Sequence, residues 1–266
     1  MALFSMLLLF IVIIVCIIGP YFLPYKSNQM GPITDILQPP NAKHWFGTDE
    51  LGRDTFTRLL YGGRISLLVG FLSVFSALII GVTVGAYAGY YGGFIDTVLM
   101  RFTDIMYSIP VLPLLVVLSA VFPGSGLLKI VLVIAAFSWM ICARIVRGLF
   151  LSLREEVYTE AARAIGASST RIIWKHLLPN SLAPIVVFTT LRIGGNIIYE
   201  ATLSFLGFGI MPPTPSWGNM LQNAQYAIIA APWLVWPPGI AIFVTVLAFN
   251  FLGDGLRDAM DPRLYR

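Results

Sequence analysis

The amino-acid sequence predicts an all-α membrane protein with six transmembrane helices, and three observations lead to this fold class. Hydrophobic residues make up 58% of the 266 residues and charged residues only 11%, whereas a soluble domain is about 45–50% apolar and about 25% charged. The mean hydropathy is +0.83. Long runs without Asp, Glu, Lys or Arg recur along the chain, and about 20 apolar residues of helix cross a bilayer. The runs do not alternate apolar and polar residues as barrel strands do.

Six runs with few or no charged residues are predicted to be membrane spans: Ala2–Leu23, Leu67–Tyr90, Ile105–Phe122, Leu127–Val146, Ser181–Leu203 and Pro237–Leu252. The fourth has Lys129 and Arg144 near its ends, where long basic side chains can reach the headgroups, and the fifth contains Arg192 and Glu200. Pro24 ends the first run, and Pro123 and Gly124 end the third. The first run has no preceding Lys or Arg and no small-residue cleavage pattern after it, so we interpret it as a retained helix and not a signal peptide. Pro237 and Pro238 fall in the first turn of the sixth run, where a missing N–H costs least.

The distribution of Lys and Arg predicts the orientation, because cytoplasmic loops carry an excess of basic residues. With both termini in the cytoplasm, the inside segments hold Arg101, Arg144, Arg147, Arg154, Arg163, Arg171, Lys175, Arg257, Arg263 and Arg266. The outside segments then hold Lys26, Lys43, Arg53, Arg58, Arg64 and Lys129. We therefore expect a first transmembrane helix at 1–24, an extracytoplasmic segment at 25–64, and a five-helix core at 65–266 with a cytoplasmic loop at 150–180 between helices four and five.

The composition and the missing motifs exclude several classes of function. The net charge is +4, but the basic residues are scattered among apolar runs and form no phosphate-tracking stripe, so we expect no nucleic-acid partner. The sequence has no P-loop for binding ATP. It also has no GxSxG motif, which would point to a hydrolase. His44 and His176 lack metal-site spacing, and Cys16 and Cys142 lie in apolar runs. We predict no catalytic residue, no metal and no bound cofactor.

Three glycines in the second span, Gly81, Gly85 and Gly89, lie on one helical face. Small residues at this spacing let two helices approach closely in lipid. The partner helix can belong to the same chain or to a second subunit, and the spacing does not decide between them.

Polar residues in the fifth span are functional candidates, because charges in hydrocarbon are costly. Arg192, Asn196 and Tyr199 recur at helical spacing, with Glu200 at the edge of the same face. One hypothesis is that this face lines a translocation path. The alternative is that Arg192 and Glu200 neutralise each other, or groups on other helices.

The loop at 150–180 carries the most information. Its sequence predicts a helix over Tyr158–Ile165, a left-handed Gly166, a cap at Ser168 or Ser169, and a second helix through Thr170–Leu177 that Pro179 closes. The pair combines apolar Ile172, Ile173, Trp174, Leu177 and Leu178 with basic Arg171 and Lys175. Such residues outside a bilayer indicate either a helix that docks in a partner's groove or one that rests on lipid headgroups.

This loop resembles a known motif. Glu160, Ala161, Ala162, Gly166 and the pair Leu178–Pro179 look like the EAA motif of permease subunits of ATP-binding-cassette importers. His176 departs from the family pattern, which has Ile two positions before its Leu-Pro. The resemblance implies that this loop holds the coupling helix that docks on a nucleotide-binding subunit.

Further motifs resemble the C-type permeases of dipeptide, oligopeptide and nickel importers. They are HWFGTDELGRD at 44–54, RLLYGGRISL at 58–67, GGFIDTVLMRFTDIMYSIP at 92–110, EATLSFLGFG at 200–209, SWGNML at 216–221 and LGDGLRDAMDPR at 252–263. The resemblance implies an inner-membrane permease that moves di- or oligopeptides by alternating access. It implies a B-type permease partner, two ATP-binding subunits that hold ATP and Mg, and an extracytoplasmic solute-binding protein. Nickel or metal chelates, glutathione and haem remain alternative cargoes, and an ATP-independent secondary transporter is the alternative class.

The resemblance also assigns roles to the residues of the loop. Glu160, Ala161, Ala162 and Gly166 are expected to set its geometry. Arg171, Ile172, Ile173, Trp174 and Lys175 are expected to contact the ATPase, and Pro179 ends the motif.

Overall fold

The computed structural model describes residues 2–122, 124 and 126–260. The main helices are α1 (Ala2–Ile18), α2 (Thr55–Tyr91), α3 (Gly93–Ser108), α4 (Val111–Val121), α5 (Leu127–Leu153), α6 (Val157–Ala164), α7 (Ser169–Arg171), α8 (Leu178–Phe205), α9 (Trp217–Tyr226) and α10 (Trp236–Met260). Short 3₁₀ turns lie at Gly19–Phe22, Ile33–Asp35 and Pro232–Leu234, and π-helical turns at Ile172–Leu177 join α7 to α8. In this part of the chain the extended pairing is limited to one isolated bridge, Thr48 to Asp54. Pro123, Arg263 and Arg266 lie outside the described residues.

The all-α membrane fold is confirmed, with a correction to the third span. Five continuous helical segments are long and apolar enough to cross a membrane: 2–22, 55–91, 127–153, 169–205 and 232–260. The sixth is a pair, α3 and α4, bent by 86°. The sequence predicted a straight helix over Ile105–Phe122, but Ile109 is extended at the break (ψ 130°). Pro110 explains the difference, because a residue before proline is pushed out of the helical region.

Several helices are longer than the charge-free runs that predicted them. The second span begins at Thr55 and not at Leu67, because Asp54 caps the helix and accepts a hydrogen bond from the Thr57 backbone N–H at 2.8 Å. A charge-free run measures the length inside hydrocarbon, whereas the helix itself continues into the polar regions on either side. Residues 55–64 are therefore helical, although they belong to the segment that the sequence placed outside the bilayer.

Helices α2 and α5 form the tightest pair, and the three glycines make it possible. A Cβ added to Gly81 would lie 2.6 Å from the Cys142 Cβ, and one added to Gly89 would lie 2.6 Å from the Phe150 Cβ. At Gly85 an added Cβ would lie 2.4 Å from the backbone oxygen of Ala143. Of the two arrangements that the sequence left open, the stripe thus packs within the chain.

One end of the bundle is covered by residues 23–54 and 206–235, here called the crown. Leu37 of the first segment packs against Ala224 and Leu234 of the second. Trp217, which is 1% exposed, donates its indole N–H to the Leu59 oxygen of α2 at 3.0 Å. These contacts hold the segment between α1 and α2, the start of α2, and α9 together. The opposite end carries residues 154–168 and is called the EAA end.

Candidate functional site: the EAA loop

Residues 154–168, the EAA loop, fold as one short helix fixed to the ends of the spans. Glu156 begins α6 in an extended conformation (ψ 145°) and accepts the N–H groups of Thr159 and Glu160 at its own backbone oxygen. The Thr159 hydroxyl donates to the Leu153 oxygen at 2.9 Å, and Thr159 is fully buried. The loop is thereby tied to the last turn of α5.

Gly166 ends α6 in a Schellman motif. Its φ is +78°, the Gly166 N–H donates to the Arg163 oxygen at 2.9 Å, and the Ala167 N–H donates to the Ala162 oxygen at 3.0 Å. This pair of bonds satisfies the last carbonyls of the helix and requires a left-handed residue, for which glycine has no Cβ penalty. The left-handed Gly166 that the sequence predicted is present.

The chain then re-enters a helix that does not stop where the sequence predicted. Ser168 caps it by accepting the Arg171 N–H at 3.4 Å. The prediction that Pro179 closes this helix is wrong, because π-helical turns over Ile172–Leu177 lead directly into α8. Pro179 is the second residue of α8, and because the helix runs through from residue 169, its missing N–H removes one backbone bond where the π-helical turns end.

Two residues expected to contact an ATPase point into the chain instead. Ile172 and Ile173 are each 1% exposed and belong to one cluster with Ala162, Phe150 and Leu177. Apolar periodicity identifies a buried face, but it cannot show whether the chain's own helices or a partner bury it. The expectation of partner contact is therefore corrected for these two residues.

The outer surface of the loop is formed by other residues. Glu160, Ala161, Arg163, Gly166, Arg171, Trp174, Lys175 and Pro179 are exposed. Val157 and Ile165, at the two ends of α6, are 78% and 86% exposed. Sequence reasoning missed these two, although a signal was present, because both are large apolar residues in a polar loop that no membrane span contains. These two exposed apolar side chains are candidates for contact with another protein.

The loop is also connected to α2. The guanidinium of Arg163 lies over the Tyr90 ring at 5.5 Å from its centroid. Arg154, which follows α5, donates to the Gly89 oxygen of α2 at 3.3 Å. The loop and the end of α5 are therefore in direct contact with α2.

Two ion pairs fasten α3 to α5 near the EAA end. Arg147 binds Asp96 through two bonds, Nε to Oδ1 at 2.5 Å and Nη2 to Oδ2 at 2.6 Å. Arg144 binds Asp104 through one bond at 2.7 Å. The two aspartates are about 12 Å apart along α3 and the two arginines about 4.5 Å apart along α5, and the two pairs follow opposite orders along the two helices.

Asp96→Asn is expected to lower the stability of the purified chain by about 1–2 kcal/mol, because it removes one charge from a two-bond, partly buried pair. The Asp96 side chain is only 14% exposed. Thermal unfolding in mild detergent would measure the change. The matched control is Asp104→Asn, whose pair is 50% and 41% exposed and should contribute less than about 0.5 kcal/mol. Equal losses for the two variants would contradict this ranking.

The four polar residues of the fifth span do not share one open face. Glu200 and Asn196 are fully buried within the chain. The Glu200 carboxylate accepts the hydroxyls of Ser66 and Ser204, both at 2.7 Å. Asn196 is bonded to Ser73 and Ser138. These two side chains therefore join α8 to α2 and α5 in the interior.

Arg192 and Tyr199 differ from that pair because they are half-buried at the surface of α8. The Arg192 guanidinium lies 6.0 Å from the centroid of the Tyr199 ring. The Arg192 Nε is buried without a hydrogen-bond partner. In the described part of the chain no carboxylate pairs with Arg192, so the proposed neutralisation by Glu200 does not occur.

Groups that could bind a metal or react are engaged elsewhere or isolated. His44 Nδ1 is bonded to Asp54 at 2.9 Å inside the crown, and Cys16 and Cys142 are buried free thiols. Within residues 2–122, 124 and 126–260, no three His, Cys, Asp or Glu side chains gather as a metal-binding group.

Comparisons with known proteins identify similar chains. The family model described as binding-protein-dependent transport system inner membrane component matches residues 81–266. The model described as N-terminal TM domain of oligopeptide transport permease C matches residues 1–40. A glutathione transport system permease protein from Pectobacterium atrosepticum is 44% identical over 96% of this chain and 85% of its own length. A dipeptide transport system permease protein from Alkalihalophilus pseudofirmus is 46% identical over 95% of this chain and 82% of its own length.

A solved structure has a similar fold. An inward-facing structure of the MetNI methionine ABC transporter superimposes with a TM-score of 0.61, at 24% identity, over 77% of this chain and 96% of the other. At that identity the likeness extends to the fold alone.

Proposed function

The chain belongs to the family of binding-protein-dependent transport system inner membrane components, and on that premise we propose that its EAA loop docks on an ATPase subunit and drives alternating access. It is a permease subunit of an ATP-binding-cassette importer, a non-catalytic multi-pass protein of the inner membrane. Two ATPase subunits supply ATP hydrolysis and hold ATP and Mg. A second, B-type permease completes the pathway, and a solute-binding protein delivers cargo at the crown.

One observation carries this proposal: α6 presents Val157 and Ile165 to solvent while its buried face is fixed to the spans. An apolar surface on a short helix fits a hydrophobic groove of a partner. Trp174 and Lys175, both exposed on the following turn, extend this surface. Glu160, Ala161, Ala162 and Gly166 set the geometry of the loop by holding α6 at its angle to α8.

The basic residues support a cytoplasmic EAA end. Arg154, Arg163, Arg171 and Lys175 lie in or next to the loop, and Arg144 and Arg147 lie about two to three turns before it on α5. An excess of Lys and Arg on one side of the bilayer is typical of the cytoplasmic side. The crown is then extracytoplasmic, and both termini are cytoplasmic.

Movement passes from the loop to the bundle through contacts already described. When the ATPases close, α6 moves with them, and Arg163, Thr159 and Arg154 carry the displacement to α2 and α5. The buried bonds of Asn196 and Glu200 hold α8 to the same pair. The spans then tilt as one unit and the pathway opens alternately to the two sides.

Di- or oligopeptides, or related small solutes such as glutathione, are the proposed cargo. The similarity of the chain to a dipeptide permease and to a glutathione permease, at 46% and 44% identity, supports this class. Within the described residues no feature favours an ATP-independent secondary transporter.

Ile165→Asp is expected to reduce the amount of ATPase recovered with this chain at least tenfold, since losing an apolar anchor costs about 2 kcal/mol or more. The tagged chain would be purified from its native membrane in mild detergent, with mass spectrometry of the recovered proteins and an ATPase assay. The matched control is Ile229→Asp, because Ile229 is 96% exposed in the crown and should not affect ATPase recovery.

Two outcomes would contradict the proposal. Equal ATPase recovery with both variants would place the docking surface elsewhere. Recovery of the wild-type chain without any P-loop ATPase, together with transport that needs no ATP, would replace the importer by a secondary transporter.

A further inference from the structure

We propose that Arg192 binds a carboxylate group of the cargo at the surface of α8, an inference that rests on the proposed importer function. The proposed site is the part of the α8 surface that carries Arg192, Gly195 and Tyr199. The ligand class is a small solute with a free carboxylate, such as an unmodified peptide.

The first argument is the missing counter-ion. Arg192 lies inside the 169–205 span, where an unpaired charge is costly and marks a functional position. The nearest acidic residue along α8, Glu200, is about 12 Å further along the axis and is occupied by two serine hydroxyls. Among the described residues Arg192 lines a small cavity with Ser138 and Thr189, neither of which is acidic. The centroid of the Tyr199 ring lies 6.0 Å from its guanidinium carbon. We therefore expect the counter-ion to come from outside the described residues.

The second argument is the space around the guanidinium. A Cβ added to Gly195 would meet no atom within 4 Å, so the turn of α8 between Arg192 and Tyr199 is open. This differs from Gly194 on the adjacent face, where an added Cβ would lie 3.4 Å from Val246. The surface of α8 at Gly195 is therefore not covered by other side chains of the described residues.

The third argument is the polarity of this face. Arg192, Gly195, Tyr199 and Thr202 fall within about 80° of one another around the helix, at 100° per residue, and all four are half-buried. A polar stripe within a span faces protein or water and not lipid. The fork of guanidinium N–H groups matches the geometry of a carboxylate, and the aromatic ring next to it adds an apolar wall.

We favour a cargo carboxylate over a fixed carboxylate on a partner chain because of the solutes that similar permeases carry. The relatives named above transport glutathione and dipeptides, and both kinds of molecule bear carboxylates.

The test uses the whole importer, with its co-purified partners, in proteoliposomes. The probes are glutathione and a mixture of di- and tripeptides, the peptides supplied as free acids and as C-terminal amides, with uptake measured by mass spectrometry. Arg192→Gln is expected to lower uptake of the free acids at least tenfold and to remove the preference for acids over amides. Arg192→Lys, which keeps the charge, should retain part of the free-acid uptake and part of the preference for acids over amides. The control is Arg101→Gln, because Arg101 is exposed on α3. This variant should leave the free-acid uptake and the preference for acids unchanged.

Each other result overturns the proposal. Free-acid uptake by Arg192→Gln at the wild-type level would show that the cargo does not need the guanidinium. Failure of Arg192→Gln to assemble with the second permease would assign the counter-ion to that subunit. Absence of uptake of carboxylate-bearing probes by the wild-type complex would exclude this ligand class, whereas recovery of P-loop ATPases with the chain would still support the importer itself.

Discussion

Replacing Gly85 with alanine should force α2 away from α5 and leave little folded protein in the membrane. The new Cβ would lie 2.4 Å from the Ala143 oxygen and 2.8 Å from the Val146 Cβ. The first of these atoms is backbone, so the clash cannot be relieved by a change of rotamer. Overpacking of this kind costs about 1–3 kcal/mol or more. The yield of monodisperse chain after mild detergent extraction and its melting temperature would measure the loss.

The matched control for this variant lies on the facing helix. Gly148 is a helical, exposed residue of α5, and a Cβ added there meets no atom within 4 Å. Gly148→Ala should therefore be neutral or slightly stabilising, by up to about 1 kcal/mol. A Gly85→Ala chain with normal yield and melting temperature would mean that the two helices are not in contact at this turn.

The second large effect is expected at Gly166, where valine should uncouple ATP hydrolysis from transport. No atom lies within 4 Å of an added Cβ, so the cost comes from the backbone alone, at φ +78°. A left-handed conformation costs an L residue about 1–2 kcal/mol and more when the side chain is β-branched. The Schellman turn opens, and α6 loses its angle to α8. Uptake per ATP hydrolysed should fall at least tenfold in the reconstituted importer.

Asparagine distinguishes backbone geometry from side-chain bulk at this position. Because Asn tolerates the left-handed region, Gly166→Asn should keep most of the wild-type coupling. Equal loss of coupling in both variants would assign the effect to a surface that must stay free of any side chain. Wild-type coupling in the valine variant would remove the loop from the transmission route.

Much of the fold could be predicted because bilayers impose simple length and composition rules. The spans, the importer permease family and the left-handed Gly166 all follow from the sequence, and the comparisons confirm the family. The bend between α3 and α4 was missed, although Pro110 marks it, because the absence of charged residues from a run gives no information about its backbone conformation. The extension of α2 back to Thr55 was missed for a related reason, since Arg58 and Arg64 interrupt the run without interrupting the helix.

The candidate site was predicted in location and only partly in detail. The inward direction of Ile172 and Ile173 depends on what lies behind them, Phe150 and Ala162, and the pattern of one segment cannot supply that information. The bond between Asp96 and Arg147 joins residues 51 positions apart, beyond the reach of local spacing rules. The roles of the loop residues stay predictions until coupling is measured.

The length of α2 has a consequence for how this protein can change over evolution. Its 37 residues form a rod of about 55 Å, against about 30 Å of hydrocarbon. Gly63 meets Trp217 of the crown near one end, and Gly89 meets Phe150 near the other. One inserted or deleted residue between them would rotate one contact by about 100° relative to the other. We therefore expect natural variants to exchange residues freely on the exposed side of α2 while the number of residues between the two glycines stays constant.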